Sequence, residues 1–526
     1  MDAMSNAPVW EAARRAAHDP GDGAPRYARI AALVEEAIAN GDLRAAQRLP
    51  TVRELSAQLE VSGTTIVAAY NLLRDKNLIR GEVGRGTFVG PAQPAPAAAA
   101  DGNGGGHANG APAAPVRRMP AIAWRRRALV NTELQLRAAH AAALDLTRGT
   151  PDPQLMPLAV LQRAWAAVAG ATTAADLQYP THADADPTLL AQLLPRLRSD
   201  GIQVEARDVV VGSSAQQFLT LAMQVARGHQ REGELLVAIE EPGYQTAMDT
   251  FERGGCRLVG VEVDAHGARP ESLDAALAAG ALMVVMTPRA HSPTGASWTP
   301  ARRAQLADVL ARHPQALVVE DDPLAEIASA RPGSLLSDDR LAERVLYIRS
   351  FSKSVAPDLR LAIATARDPL RSMLAEEKSF ADGWTSRFTQ RVLARALADP
   401  ELDAALDRAR TAYAERREAA ARAIDEGLAP LGGGASPGDD GLHVWVRLPA
   451  DCDSAGVLAE TAQRGFLAAP GGSFFVHPGH GRAIRLNAGA AAGVEQAAAA
   501  GKAIADAVAT VRRSPHNRGV AGAITV

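Results

Sequence analysis

Cysteine is nearly absent from this sequence. Its 526 residues include 2 cysteines, and Cys256 and Cys452 lie too far apart for metal-ligand spacing, which excludes a disulfide framework and a zinc site. Charge of one sign is also missing. The 56 Lys and Arg against 59 Asp and Glu leave a formal net charge of -3, so any nucleic-acid contact must come from a local surface. No apolar run reaches about 18 residues, and the N-terminal "MDAMSNAPVWEAARRAAHDP" has no apolar h-region. The expectation is a cytoplasmic protein with no membrane partner. Aromatics make up 4% of the chain and hydrophobic residues 47%, a globular composition in a chain too long for one ordinary core.

What is present divides along the chain. "PAQPAPAAAADGNGGGHANGAPAAP" (91–115) is almost entirely Pro, Ala, Gly and small polar residues, too poor in apolar side chains to bury a core. It reads as a flexible tether, followed by five arginines within 117–127. The expected organisation is an N-terminal extension (1–25), a first domain (26–90), a linker with a basic end (91–143), a second domain (144–512) and a C-terminal tail (513–526).

In the first domain, Ile30, Leu33, Val34 and Ile38 share one helical face. "LPTVRELSAQL" opens a second helix, with Thr51 as cap and Glu54 completing a capping box. "VSGTTIVAAYNLL" begins a third at Ser62, burying Ile66, Ala69, Tyr70 and Leu73 and leaving Thr64 and Thr65 near its exposed start. "LIRGEVGRGTFV" alternates into two strands around Gly84-Arg85-Gly86, a hairpin tip. Three helices and a hairpin describe a winged helix-turn-helix. Its third helix enters the major groove N-terminus first, and Arg85 on the wing reaches the minor groove. The segment 49–89 resembles the DNA-binding domain of GntR regulators along its whole length. That resemblance implies DNA contacts at Arg53, Thr64, Thr65, Arg85 and Gly86. Gly63 stands where the family often has arginine, so one contact is altered.

The second domain alternates apolar β-branched runs with helical stretches, and the runs end in polar residues, the α/β pattern. In "YIRSFSKSVAPDLR", Lys353 supplies an amine able to form a Schiff base with an aldehyde cofactor. "VVGSSAQQF" offers a turn into a helix whose free N–H groups suit a phosphate. "VVEDDP" offers Asp321 or Asp322 for a ring nitrogen, "EEPGY" offers Tyr244, and Arg360 and Ser350 can bind phosphate.

Over roughly 144–512 the chain resembles fold-type I aminotransferases, through "SFSKSVAPDLRL", "HSPTG" and "AIRLNAGA". The resemblance implies pyridoxal 5'-phosphate bound to Lys353, with Asp321 at its pyridinium nitrogen and Tyr244 on its ring. Ala215, Gln216, Ser350 and Arg360 would form the phosphate cup, and Arg485 would hold a substrate or effector carboxylate. Two positions depart from the family. Ser292 replaces the asparagine that bonds the cofactor's phenolic oxygen, and Pro323 and Leu324 occupy the place of its tyrosine. Cofactor binding should survive these changes while fast turnover should not.

The combined architecture resembles the MocR regulators. It implies a transcription factor sensing pyridoxal phosphate, or an amino compound condensing with it, and acting on operator DNA as a head-to-tail homodimer, with Tyr179 reaching the partner's cofactor site. The alternative is an active aminotransferase that carries a DNA-binding domain.

Overall fold

The computed structural model describes residues 7–18, 26–39, 42–43, 47–75, 78–82, 86–90, 140, 142–180, 185–229, 233–452, 454–477 and 482–513. The chain divides into two compact units, Met1–Val116 and Arg117–Val526.

The first unit contains α1 (Ala7–His18), α2 (Arg26–Ala39), β1 (Arg48–Leu49), α3 (Val52–Leu59), α4 (Gly63–Asp75), β2 (Ile79–Glu82) and β3 (Gly86–Val89). Helix α3 starts where the capping box predicts. Glu54 N donates to Thr51 Oγ1 (3.3 Å) and Thr51 N donates to Glu54 Oε2 (2.7 Å). It stops at Glu60, whose left-handed φ of 53° turns the chain toward Ser62, which caps α4 by accepting from Thr65 N (3.2 Å). Ile66, Ala69, Tyr70 and Leu73 are buried against Ile30, Val34, Leu55 and Leu59, and each fully buried Leu or Ile stabilises the fold by about 1.5–3 kcal/mol. Tyr70 OH donates to Pro50 O (2.7 Å), which satisfies its polar end inside this core.

Two elements exceed the sequence reading. Helix α1 lies in the segment read as an extension, and it buries Trp10, Ala13 and Ala17 in the same core. The hairpin also gains a third strand, because β1 pairs antiparallel with β3. Two residues are too short a run to show any alternation. The linker residues 91–139 and 141 lie outside the described residues.

The second unit is organised by an eight-stranded sheet. Its strands are β5 (Val209–Gly212), β6 (Leu236–Glu241), β7 (Arg257–Asp264), β8 (Gly267–Ala268), β9 (Met283–Met286), β10 (Leu317–Asp322), β11 (Val345–Ser350) and β12 (Ala362–Thr365); the earlier β4 (Leu144–Asp145) pairs outside it. The spatial order is 5-12-11-10-9-6-7-8, with β12 antiparallel to both neighbours and β11, β10, β9, β6 and β7 mutually parallel. Apolar clusters cover both faces, which is why these strands read as continuous apolar runs.

A smaller sheet follows, ordered β13-β14-β17-β16, from β13 (Gly434–Ser436), β14 (His443–Arg447), β16 (Ala469–Pro470) and β17 (Ala483–Asn487), while β15 (Phe466–Leu467) pairs with β4. The helices Glu401–Leu428 and Val494–Arg513 pack on it through Ala420, Ile424, Ala500 and Ile504. Gly501 is required there, since a Cβ would lie 2.4 Å from Ala420 O. No helix among the described residues is long and apolar enough to cross a membrane.

Candidate cofactor site

The C-terminal ends of the large sheet and one face of the small sheet enclose a cavity of about 450 Å³. Each wall has a local cause. Strand β5 runs through Gly212 into the helix Ala215–His229. The turn is tight enough that a Cβ on Gly212 would lie 2.6 Å from the Phe218 ring. Ser214 caps this helix by accepting from Gln217 N (3.2 Å), leaving first-turn N–H groups at Ala215 and Gln216 beside the cavity. Strand β11 ends at Ser350, which accepts from Ser352 N (3.3 Å). Arg360 lines the same wall with a left-handed φ of 52°, a conformation that costs energy for a side chain bearing a Cβ.

Asp321 and Asp322 resolve by strand alternation. Asp322 turns into a buried charge cluster, where it accepts from Arg289 Nε (2.9 Å) and Tyr347 OH (2.6 Å). Asp321 lines the cavity and its Oδ1 has no hydrogen-bond partner among the described residues. Burial, with help from Asp322 and Glu240, pushes the Asp321 carboxyl up to about 7. The Lys353 amine donates to Gly149 O, and burial brings its ammonium down to about 8, aided by Arg485. About a tenth is then unprotonated at pH 7, against almost none for an ordinary lysine, and that neutral form is the state a nucleophilic amine needs. Arg485 is buried at 5% exposure, donates to Thr147 O and lies 4.6 Å from the Phe474 ring centroid.

The cavity therefore gathers Ala215, Gln216, Tyr244, Ser292, Asp321, Ser350, Lys353, Arg360 and Arg485. Leu324 and Pro323 line it as well. Tyr179 is elsewhere: it is 82% exposed and packs edge-on against Trp384 at 5.2 Å. In the first unit, Thr65 sits in the opening turn of α4 with its hydroxyl 2.8 Å from Ser62 Oγ. Arg53, Thr64 and Gly86 are described in backbone only, and Arg85 lies outside the described residues. Sequence reasoning missed Thr147, Gly149, Thr150, Leu442 and His443 as lining residues. The Arg-Gly-Thr of "LTRGTPD" was the available signal, since Asn487 Nδ2 fastens that segment at Thr150 O (2.9 Å).

The residues fit pyridoxal 5'-phosphate. The unpartnered Asp321 oxygen suits a ring N–H, Lys353 suits the aldehyde, and the Ala215 helix start with Ser350 and Arg360 suits a phosphate.

A winged helix-turn-helix unit and a fold-type I unit thus share one chain. Residues 144–500 match the family of aminotransferases class I and II, and residues 26–89 match the bacterial regulatory proteins of the gntR family. The chain is 31% identical over 455 residues to the vitamin B6 salvage pathway transcriptional repressor PtsJ of Salmonella typhimurium, covering 86% of this chain and 92% of that one. It is 30% identical over 474 residues to the transcriptional regulator TauR of Rhodobacter capsulatus, covering 87% and 91%. Among solved structures it resembles LysN, an alpha-aminoadipate aminotransferase of Thermus thermophilus complexed with N-(5'-phosphopyridoxyl)-L-leucine, at 25% identity and a TM-score of 0.63 over 75% of this chain and 96% of that one. The chain belongs to the GntR-type regulators that carry an aminotransferase class I and II domain, the MocR regulators.

Proposed function

We propose that this regulator binds pyridoxal 5'-phosphate at Lys353, reads an amino compound in the same cavity, and converts that reading into altered occupancy of operator DNA. The observation that carries it is the convergence of Lys353, Asp321 and Arg485 on one cavity that Ser292 and Leu324 also line. When bound, the cofactor supplies an aldehyde that condenses with primary amines and a ring that withdraws electrons from the attached carbon. Asp321 would accept from the ring nitrogen, and its carboxylate would be restored by that positive partner. Ala215, Gln216, Ser350 and Arg360 would hold the phosphate, with Tyr244 against the ring. Arg485 would pair with the effector's carboxylate. Lys353, whose amine faces the same cavity, would be the group able to move a proton at the effector's α-carbon.

Leu324 offers no hydroxyl and Ser292 is short, so the donors that speed proton transfer in aminotransferases are reduced. Effector capture should outlast the chemistry, which suits a sensor. The two units couple if the effector binds one arrangement of the chain better than another. A head-to-tail homodimer would bring the exposed Tyr179 to the partner's site.

The retained Arg485 favours a second reading, an active aminotransferase. A single-turnover experiment separates the two. The regulator should change its absorbance on adding an amino acid and pass little of the amino group to a keto acid. Steady turnover at about 1 s⁻¹ or more, ordinary for enzymes, would establish the enzyme instead.

A further inference from the structure

Three polar side chains converge on Gly149. The Lys353 amine donates to its carbonyl. A Cβ on Gly149 would lie 3.2 Å from His443 Nε2 and Cε1 and 3.9 Å from Arg485 Nη1. His443 and Arg485 reach it from one face of the small sheet. Strands β14 and β17 pair with Trp445 opposite Arg485 and His443 opposite Asn487, and side chains two apart on a strand share a face.

His443 is 5% exposed, lines the cavity and has no assigned role. Its Nδ1 is buried without a hydrogen-bond partner among the described residues. A buried N–H with no acceptor is costlier than a buried lone pair. The ring proton therefore belongs on Nε2, the nitrogen beside Gly149. Burial, then the neighbouring Arg485 and Lys353, hold the imidazole well below its usual range and keep it neutral. Arg485 has capacity to spare, since its Nε also lacks a partner among the described residues.

We propose that His443 is a second anchor for the effector's carboxylate, donating from Nε2 beside the Arg485 guanidinium, and that the two together select amines that carry a carboxylate near the amino group. This rests on the reading that an amino compound enters the Lys353 cavity. Gly149 is the spacer that lets the imidazole, the guanidinium and the amine meet, because a side chain there would press on the His443 ring.

The test uses the full chain loaded with pyridoxal phosphate. Binding is followed by the cofactor's absorbance for a panel of α-amino acids and, for each that binds, the amine lacking its carboxylate. His443→Phe keeps a planar aromatic ring, slightly larger, and removes the donor. It should weaken amino-acid binding by about tenfold or more, the usual cost of a lost hydrogen bond to a charged group, and leave the matched amines unchanged. His443→Gln restores an N–H and should recover most of the difference. If the phenylalanine variant fails to fold, His443→Leu against His443→Gln gives the same contrast. Equal amino-acid affinity in wild type and His443→Phe, or equal losses for amino acids and amines, overturns the anchor alone. A wild-type protein that takes no amino acid overturns the anchor and the reading beneath it.

Discussion

The two units differ in how far apart in sequence their defining contacts are made. In the DNA-binding unit, the capping box that starts α3 joins Thr51 and Glu54, 3 residues apart. In the cofactor unit, Lys353 meets Gly149 across 204 residues and Arg485 meets Thr147 across 338. Short-range structure is written in local sequence. A site assembled over such spans is written as residue types, whose surroundings appear only after folding. The first unit should therefore respond to mutation in proportion to local hydrogen bonds. The second should respond in an all-or-none way where one chemical group is irreplaceable.

The sharpest break in that comparison is Lys353→Ala. It should abolish the protein's yellow colour after dialysis and leave no cofactor fixed by borohydride, while wild type retains it covalently at Lys353. Mass spectrometry of the reduced protein decides this.

Asp321→Asn should have the next largest effect. Losing a charge-assisted hydrogen bond costs about 1.5–3 kcal/mol, so cofactor affinity should fall by about 10–100-fold in equilibrium titration. The cofactor-free protein offers a pH signature as well. The Asp321 carboxyl is raised from 3.8 to about 7, so between those values the folded state holds a proton that the unfolded state has released. Stability should fall as pH rises through that window. Glu320, also pushed up to about 7 by burial, adds to the same slope. His443, held neutral by burial, opposes that slope, so the decisive quantity is a difference: between about pH 4 and pH 7 the calorimetric midpoint of Asp321→Asn should fall less, or rise more, than that of wild type. Identical pH profiles in the two proteins would mean that Asp321 is already paired.

How much of this was legible follows the same division. The capping box, the Ser62 start of α4 and the buried Ile66, Ala69, Tyr70 and Leu73 were readable because each depends on neighbours within one helix. Helix α1 was less legible: Trp10, Ala13 and Ala17 repeat at helical spacing, but two of the three are alanines, whose small side chains give a weak apolar stripe. In the second unit the amine, the carboxylates and the arginine were readable by type. The choice between Asp321 and Asp322 needed the strand's two faces, and His443 needed the pairing of β14 with β17. No periodicity in "GLHVWVRLP" announces that the imidazole meets a glycine nearly three hundred residues earlier.

In the first unit the effects should be graded. Neutralising Arg53 or Arg85 should weaken operator binding and reduce its salt dependence by about one unit of slope per lost phosphate contact. Binding isotherms over a salt series on a selected duplex measure it, and an unchanged slope removes that residue from the interface. Smallest of all, Thr51→Ala should cost about 1 kcal/mol in denaturant unfolding of that unit. A loss several times larger would mean that Thr51 does more than cap α3.

The central claim is that a group captured at Lys353 is read out as DNA occupancy by the other unit. It is tested most directly by fluorescence anisotropy of a duplex selected from a random-sequence pool against the full-length protein. Pyridoxal phosphate, alone and with amino acids, is titrated into wild type and Lys353→Ala in parallel. The account predicts that wild-type affinity for the duplex shifts with the added compound and that Lys353→Ala binds the duplex without responding. An identical response in both proteins, or none in wild type, would contradict it.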